Sequence, residues 1–171
     1  MQQRTSILSA FTLSTAMALG TAAMAADLPK EGTFNVDYIS FGTFKATAIG
    51  KERVLNTFDE NGLWLGKGFG DHVTFHIFGL GDIANGMEQF RGYSVGTDPN
   101  GDQIVVDFAS DGKFPADAKS YNGKFTFTTG TGKYVGISGG ATFTCHSPEF
   151  RTAAEGTFAQ YCTMSGNYKL P

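Results

Sequence analysis

The sequence predicts an all-β protein: a single closed antiparallel β-barrel of about eight strands, lipocalin-like in shape. After the N-terminal segment, glycine or turn clusters alternate with short runs rich in Phe, Tyr, Val, Ile and Thr. No stretch keeps a helical hydrophobic period, which argues against alternating strands and helices. A two-sheet β-sandwich is the alternative. The barrel is preferred because closure hides the apolar faces and the strand edges together.

The predicted strands follow one another along the chain with short connections. They cover residues 33–39, 43–49, 53–58, 63–67, 72–78, 89–97, 102–108, 124–129, 141–146 and 157–169. Asp59-Glu60-Asn61-Gly62 contains Asn-Gly, a strong hairpin signal, and is predicted to be a turn. Asp98-Pro99-Asn100-Gly101 is predicted to join the next hairpin, because Pro and Asn-Gly both favour turns.

The N-terminus has the features of a signal peptide. Arg4 is followed by the apolar stretch 7–19, which is too short to span a bilayer. Ala23-Met24-Ala25 has the small-x-small pattern of a cleavage site. We therefore expect a cleaved segment over residues 1–25 and one barrel domain over residues 26–171. The mature chain is expected to have no membrane span and to be periplasmic or secreted.

The charge of the chain is mildly acidic. Its 171 residues contain 13 Lys and Arg against 16 Asp and Glu, a net charge of −3 that becomes more negative when Arg4 is removed. Nucleic-acid affinity comes mainly from basic side chains on phosphates, so a nucleic-acid partner is not expected. The absence of a basic run argues equally against binding to anionic membranes.

The two cysteines, Cys145 and Cys162, are candidates for a disulfide because an exported protein meets an oxidising compartment. If residues 141–146 and 157–169 form an antiparallel hairpin, Cys145 lies opposite Cys162 and Phe143 opposite Met164. The pair lacks the Cys-x-x-Cys spacing of a redox site, and two cysteines do not supply the ligands of a zinc site.

The segment Gly130–Gly140 is dense in glycine and invites a nucleotide-binding interpretation. The dinucleotide pattern needs glycine where Val135 stands and a helix afterwards, whereas a further strand is predicted. A P-loop needs Ser or Thr after Lys133, where Tyr134 stands. We therefore predict a tight connection in which Tyr134 and Ile137 cover one end of the barrel.

This segment, Gly-Thr-Gly-Lys-Tyr-x-Gly-x-x-Gly, resembles the one before the late strands of allene oxide cyclase and dirigent-type barrels. The turn and strand at Gly101-Asp102-Gln103-Ile104-Val105-Val106 also suit that architecture. The resemblance covers about residues 90–145. It implies an eight-stranded antiparallel barrel with a central cavity for small, mostly apolar molecules, and an isomerase or cyclase of the allene oxide cyclase type if the protein is an enzyme.

Two residues are candidates for acid–base chemistry. His72 and His76 share one strand face, about 13–14 Å apart, which is too far for joint metal binding. If that face points inward, His76 is the best general base, since its pKa lies near neutrality. Asp107 stands in an apolar strand and faces either solvent or the interior. Nothing in the sequence places a second carboxylate beside Asp107, so a glycosidase pair is not predicted.

The chain contains 16 Phe, 6 Tyr and 1 Trp, which suits either a packed core or a ligand cavity. We expect an exported barrel that binds a small apolar or amphipathic molecule, with Trp64, His72, Tyr93 and Phe108 as candidate ligand contacts. The alternatives are a cyclase or isomerase acting in the same cavity, with His76 or Asp107 moving a proton, and a structural barrel with a filled core. No cofactor or metal is expected, and self-association is left open.

Overall fold

The computed structural model describes residues 28–147 and 154–171, so the predicted signal peptide lies outside the described residues. Its strands are β1 (Glu31–Ile49), β2 (Arg53–Lys67), β3 (Phe69–Ala84), β4 (Met87–Thr97), β5 (Gln103–Ser110), β6 (Phe114–Pro115), β7 (Ser120–Gly130), β8 (Ser138–His146) and β9 (Thr157–Lys169). A 3-10 helix, Gly132–Tyr134, precedes β8. Among the described residues, no helix has the length and apolar composition that a membrane crossing requires.

Eight of these strands close into an antiparallel barrel. Their order is β3-β2-β1-β9-β8-β7-β5-β4, and pairing between β3 and β4 closes the ring. The short β6 pairs with the start of β4 outside this ring. The predicted closed barrel is confirmed, and the sandwich is wrong because one continuous sheet pairs with itself. Closure leaves only short stretches of unpaired edge.

Alternation along the strands separates an inner surface from an outer one. In β1, Phe34, Val36, Tyr38 and Ser40 are buried, whereas the residues between them are exposed. The same period-two pattern recurs in β7 and β9, whose buried positions also face the interior. Each of these strands therefore contributes one row of side chains to a common core.

The predicted hairpin turn at residues 59–62 is wrong. β2 runs without a break from Arg53 to Lys67, and Asn61 and Gly62 pair with β1 on one side and β3 on the other. A Cβ atom at Gly62 would lie 2.3 Å from both the Ile39 carbonyl oxygen and the Phe75 ring. The glycine is therefore required by close packing in mid-strand. The two strands predicted within residues 33–49 likewise form one long strand, β1.

One end of the barrel is filled by aromatic rings. Phe69 stacks on Tyr168 with ring centroids 4.3 Å apart and lies 4.8 Å from Phe34. Tyr134 meets the edge of Phe69, and both Tyr134 and Ile137 are buried. The glycine-rich segment is thus a connector that closes this end, as expected. Its positive φ of 76° at Gly136 is one that glycine adopts readily.

The predicted disulfide is confirmed. Cys145 on β8 and Cys162 on β9 are directly paired and bonded, with Cα atoms 4.1 Å apart. The predicted register is also correct, since Phe143 lies opposite Met164. Both cysteines are buried on the inner surface, where the bond joins adjacent strands within the core.

Candidate functional site

A cavity of about 500 Å³ occupies the end of the barrel opposite the filled one. All eight barrel strands contribute residues to its lining, together with the loop around β6. Most of its surface is apolar, and the rings that contribute to it include Phe58, Trp64, Phe90, Phe108, Tyr121 and Phe158. The interior is therefore packed at one end and hollow at the other.

Two of the predicted ligand contacts line this cavity. Trp64 is 5% exposed and stacks with Phe125 at 6.3 Å. Phe108 is half-buried and lies 6.2 Å from Phe58. Their position follows from strand alternation, because each belongs to the inward row of its strand.

The predicted site histidines lie on the outer surface instead. His76 is exposed, and its Nε2 atom lies 2.9 Å from Asp59 Oδ2 on the neighbouring strand. His72 is exposed beside Asp71, at a position with a positive φ of 53°. Val73 and the other residues that alternate with them are the ones that turn inward. Both histidines therefore point to solvent and away from the cavity.

Tyr93 and Asp107 also lie outside the cavity. Tyr93 is 51% exposed and Asp107 is exposed, and the two are paired across β4 and β5. Asp107 therefore takes the solvent-facing one of its two predicted orientations. Among residues 28–147 and 154–171, no group of three or more His, Cys, Asp or Glu is arranged to hold a metal ion.

The polar centre of the cavity is Glu60, a residue that sequence reasoning had placed in a turn. Glu60 is 4% exposed and belongs to the inward row of β2. Ser40 Oγ donates a hydrogen bond of 2.7 Å to Glu60 Oε2, and Gln160 Nε2 donates one of 2.9 Å to the same oxygen. The Tyr121 hydroxyl donates in turn to Gln160 Oε1. Four strands, β1, β2, β7 and β9, thus meet in one network.

Burial governs the protonation of this network. Removal from water raises the pKa of the Glu60 carboxyl, while the hydrogen bonds from Ser40 and Gln160 act in the opposite direction. Burial also raises the pKa of the Tyr121 hydroxyl, and the negative charge of Glu60 adds to that effect. Tyr121 is therefore a neutral donor at physiological pH, and Glu60 is a carboxyl whose proton affinity is higher than usual.

A second carboxyl lies nearer the open end. Glu88 lines the cavity, and burial raises the pKa of its carboxyl above the ordinary value. Asn56 Nδ2 donates a long hydrogen bond of 3.5 Å to Glu88 Oε1. The Asn56 Oδ1 atom is buried and has no hydrogen-bond partner among the described residues. Both residues stand on inward rows, Asn56 two places from Phe58 and Glu88 two places from Phe90.

A sequence signal for Glu60 was present. Asn56, Phe58, Glu60 and Trp64 are separated by even numbers of residues, which places them on one face of an uninterrupted strand. The Asn-Gly pair directly after Glu60 hid this pattern, because it indicates a turn when considered locally. Residues that face one another from distant strands, such as Gln160, have no comparable signal in a single sequence.

No protein-family model matches the chain, and no curated protein matches it. Among solved structures, the pterocarpan synthase dirigent protein GePTS1 is similar at 12% identity and a TM-score of 0.49, over 82% of this chain and 87% of that chain. The pterocarpan synthase dirigent protein PsPTS1 is similar at 11% identity and a TM-score of 0.45, over 84% of this chain and 97% of that chain.

Proposed function

We propose that this protein binds a small, largely apolar molecule in its central cavity. The observation that carries the proposal is the hollow end of the barrel, about 500 Å³ in volume. Small-molecule sites in proteins have volumes of roughly 300–1,000 Å³, with apolar walls and a few placed polar groups. The aromatic side chains of the walls and the buried hydrogen-bond network around Glu60 match that description. A completely filled structural barrel is disfavoured by the same volume.

The position of the ligand is expected to follow from the lining. Trp64 and Phe108 are proposed to contact its apolar part, as their inward placement allows. The network of Ser40, Glu60 and Gln160 is proposed to contact a polar group on the ligand. A buried carboxylate needs hydrogen-bond partners, which favours an amphipathic ligand over a pure hydrocarbon.

Two neighbouring valines on β5 provide the test. Val106 is 3% exposed and lines the cavity, whereas Val105 belongs to the outward row of the same strand. Nile red, a neutral dye that fluoresces in apolar surroundings, serves as the probe. Wild-type protein and Val105→Trp should both bind it saturably. Val106→Trp fills the cavity and should weaken binding by about tenfold or more, since each 1.4 kcal/mol is a factor of ten.

Circular dichroism of all three proteins shows whether the barrel folds. If Val106→Trp does not fold, Met164→Trp on β9 replaces it, because Met164 is another buried residue of the cavity lining. Equal binding by folded inward and outward variants would contradict the proposal. An absence of saturable binding to the wild-type protein would contradict it as well.

Acid–base catalysis of an isomerisation or cyclisation is a second candidate, favoured by one observation. Glu60 is a buried carboxyl that faces the cavity, and its raised pKa brings it closer to the working range of a general base. Hydrogen exchange of 4-phenylbutan-2-one in deuterated water, followed by NMR, tests it. Wild-type protein should accelerate exchange next to the carbonyl, and Glu60→Gln should not. Equal exchange rates with the wild-type protein and with Glu60→Gln would exclude Glu60 as the base that acts on this probe.

We also propose that the protein is exported and cleaved after Ala25. The Cys145–Cys162 disulfide supports this, because such bonds persist in oxidising compartments and are rare in the cytosol. Expression of the full chain in a bacterial host and intact-mass analysis of the periplasmic fraction should give a mature N-terminus at Ala26. Recovery of only uncleaved chain from the cytosol would contradict the prediction.

A further inference from the structure

We propose that the cavity selects positively charged amphipathic molecules: organic amines with an aromatic or aliphatic body. The inference deepens the proposed binding function and depends on it. It starts from the charges of the described residues that line the cavity, which are the carboxyls of Glu60, Glu88 and Asp117 and one cation, Lys119. Both Asp117 and Lys119 belong to the loop after β6, so the inward rows of the strands carry carboxyls as their only charged groups in the described lining.

The hydrogen-bond directions around Glu60 define it as an acceptor. The Tyr121 hydroxyl donates to Gln160, and Gln160 and Ser40 both donate to Glu60 Oε2. Each donor in this series of hydrogen bonds therefore points toward the Glu60 carboxylate. The second oxygen, Oε1, receives no hydrogen bond from another described residue. It is therefore available to a donor on a bound molecule.

An ionised Glu60 has no cationic side chain bonded to it among the described residues. A carboxylate taken out of water without a counter-charge is unfavourable, so a bound cation would stabilise it more than a neutral group would. Charge-assisted hydrogen bonds are also about twice as strong as neutral ones. An ammonium group on the ligand would provide both the counter-charge and the donor for Oε1.

The walls beside these carboxyls are aromatic. The Phe90 ring lies between those of Phe58, Phe108, Phe114 and Tyr121, with centroid distances of 6.3, 6.1, 5.8 and 5.3 Å. Such rings present a negative face that attracts organic cations. They also accept the apolar body of an amphipathic molecule. Glu60 and Glu88 line the same cavity as these rings.

The same features disfavour an anionic amphiphile such as a fatty acid. Inside the cavity, its carboxylate would have to lie near Glu60 or Glu88. Two like charges in a cavity of low dielectric repel strongly. A neutral alcohol avoids that repulsion but gains no counter-charge. The expected order of affinity is therefore amine, alcohol and carboxylate.

Three probes with the same body separate these cases: 4-phenylbutylamine, 4-phenylbutan-1-ol and 4-phenylbutanoate. Their dissociation constants are measured by isothermal titration calorimetry with the purified wild-type protein near pH 8, where the amine and the carboxylate are ionised. The amine should bind about tenfold more tightly than the alcohol, as expected for a hydrogen bond to a charged group. The carboxylate should bind more weakly than the alcohol.

The variants assign the effect to the cavity carboxyls. Glu60→Gln should reduce amine affinity by about tenfold and leave alcohol affinity within about threefold of wild type. Glu88→Gln should have the smaller effect, since Glu88 is less buried, and the double variant should remove the preference. Asp59→Asn is the matched control, because Asp59 is the adjacent carboxyl on the outer face. It should leave all three dissociation constants unchanged.

The possible outcomes are distinct. If alcohol and amine bind equally, or the carboxylate binds most tightly, charge selection is wrong while cavity binding stands. If amine affinity falls as much in Asp59→Asn as in Glu60→Gln, the effect arises from the outer surface and the inference is overturned. If none of the three probes and no Nile red binds, the proposed binding function itself fails.

Discussion

Gln160 and Glu60 are joined by a hydrogen bond of 2.9 Å although 100 positions separate them in the sequence. Their strands, β9 and β2, are not neighbours, because β1 lies between them. Ser40 on β1 fills the gap and donates to the same Glu60 oxygen. The hydrogen bond therefore runs along the inner surface of the barrel, past β1. It exists only because the closed sheet brings the inward-facing side chains of three strands together.

Replacement of Glu60 by Gln should alter how stability depends on pH. The pKa of the folded carboxyl is raised above its ordinary 4.5, so the folded state binds more protons than the unfolded state between the two pKa values. The stability contributed by Glu60 is therefore fully present below the unfolded pKa and is lost as pH rises through the folded pKa. The free energy of unfolding of wild type relative to Glu60→Gln should decrease as the pH rises above the ordinary pKa of 4.5, by about 1.4 kcal/mol for each unit by which the pKa is raised.

Urea unfolding at a series of pH values measures this difference. Glu88, whose pKa burial also raises, is present in both proteins and cancels in the comparison. Asp37→Asn is the control, since Asp37 is an exposed carboxyl on the outer row of β1. Parallel profiles for wild type and Glu60→Gln would show that Glu60 does not have a raised pKa.

Reduction of the Cys145–Cys162 disulfide should destabilise the barrel. The bond closes a loop with a sequence separation of 17, for which the loss of unfolded-state entropy corresponds to about 3 kcal/mol. Urea unfolding with and without reductant should show that decrease in the free energy of unfolding. The double variant Cys145→Ala, Cys162→Ala should have the lower stability and no response to reductant. A wild-type protein that is insensitive to complete reduction would contradict the prediction.

Gly62→Ala should destabilise the protein by about 1–3 kcal/mol, the range typical of overpacking in a close-packed interior. The added Cβ would lie 2.3 Å from the Ile39 carbonyl oxygen, and backbone atoms cannot easily move away. Gly32→Ala is the matched control, since its Cβ would meet only the Tyr168 side chain, at 3.2 Å. Thermal unfolding of the two variants should differ clearly. Equal melting temperatures would mean that β2 and β3 are not packed as described.

Trp64 provides a built-in reporter of the cavity, because it is the only tryptophan of the chain. It is 5% exposed, so its fluorescence should lie at shorter wavelength in the folded protein than in urea and should resist quenching by acrylamide. A bound cavity ligand should change this emission, whereas the Val106→Trp variant would obscure it and is not used here. Strong acrylamide quenching of the folded protein would show that Trp64 is not enclosed.

Several features of this protein were predictable from local pattern. Turn clusters alternating with short runs rich in Phe, Tyr, Val, Ile and Thr predicted an all-β chain. The hairpin of β8 and β9 set Cys145 opposite Cys162 because the two strands are consecutive. The failed prediction at Asn61-Gly62 has an equally specific reason. An Asn-Gly pair favours a turn by its own conformational preferences, but here Asn61 and Gly62 pair with β1 on one side and β3 on the other.

The sequence by itself determined the fold class, the disulfide and the structural role of the glycine-rich connector. Only the tertiary structure decided which face is the inside. Both faces carry large apolar side chains, as the exposed Phe41, Phe78 and Tyr93 show, so composition does not distinguish them. Closure of the barrel turns His76 and Asp107 outward and Glu60 inward. Which face of each strand points inward depends on how the side chains of all eight strands fit together. That selection is a property of the whole barrel, and it created the acidic, ring-lined cavity.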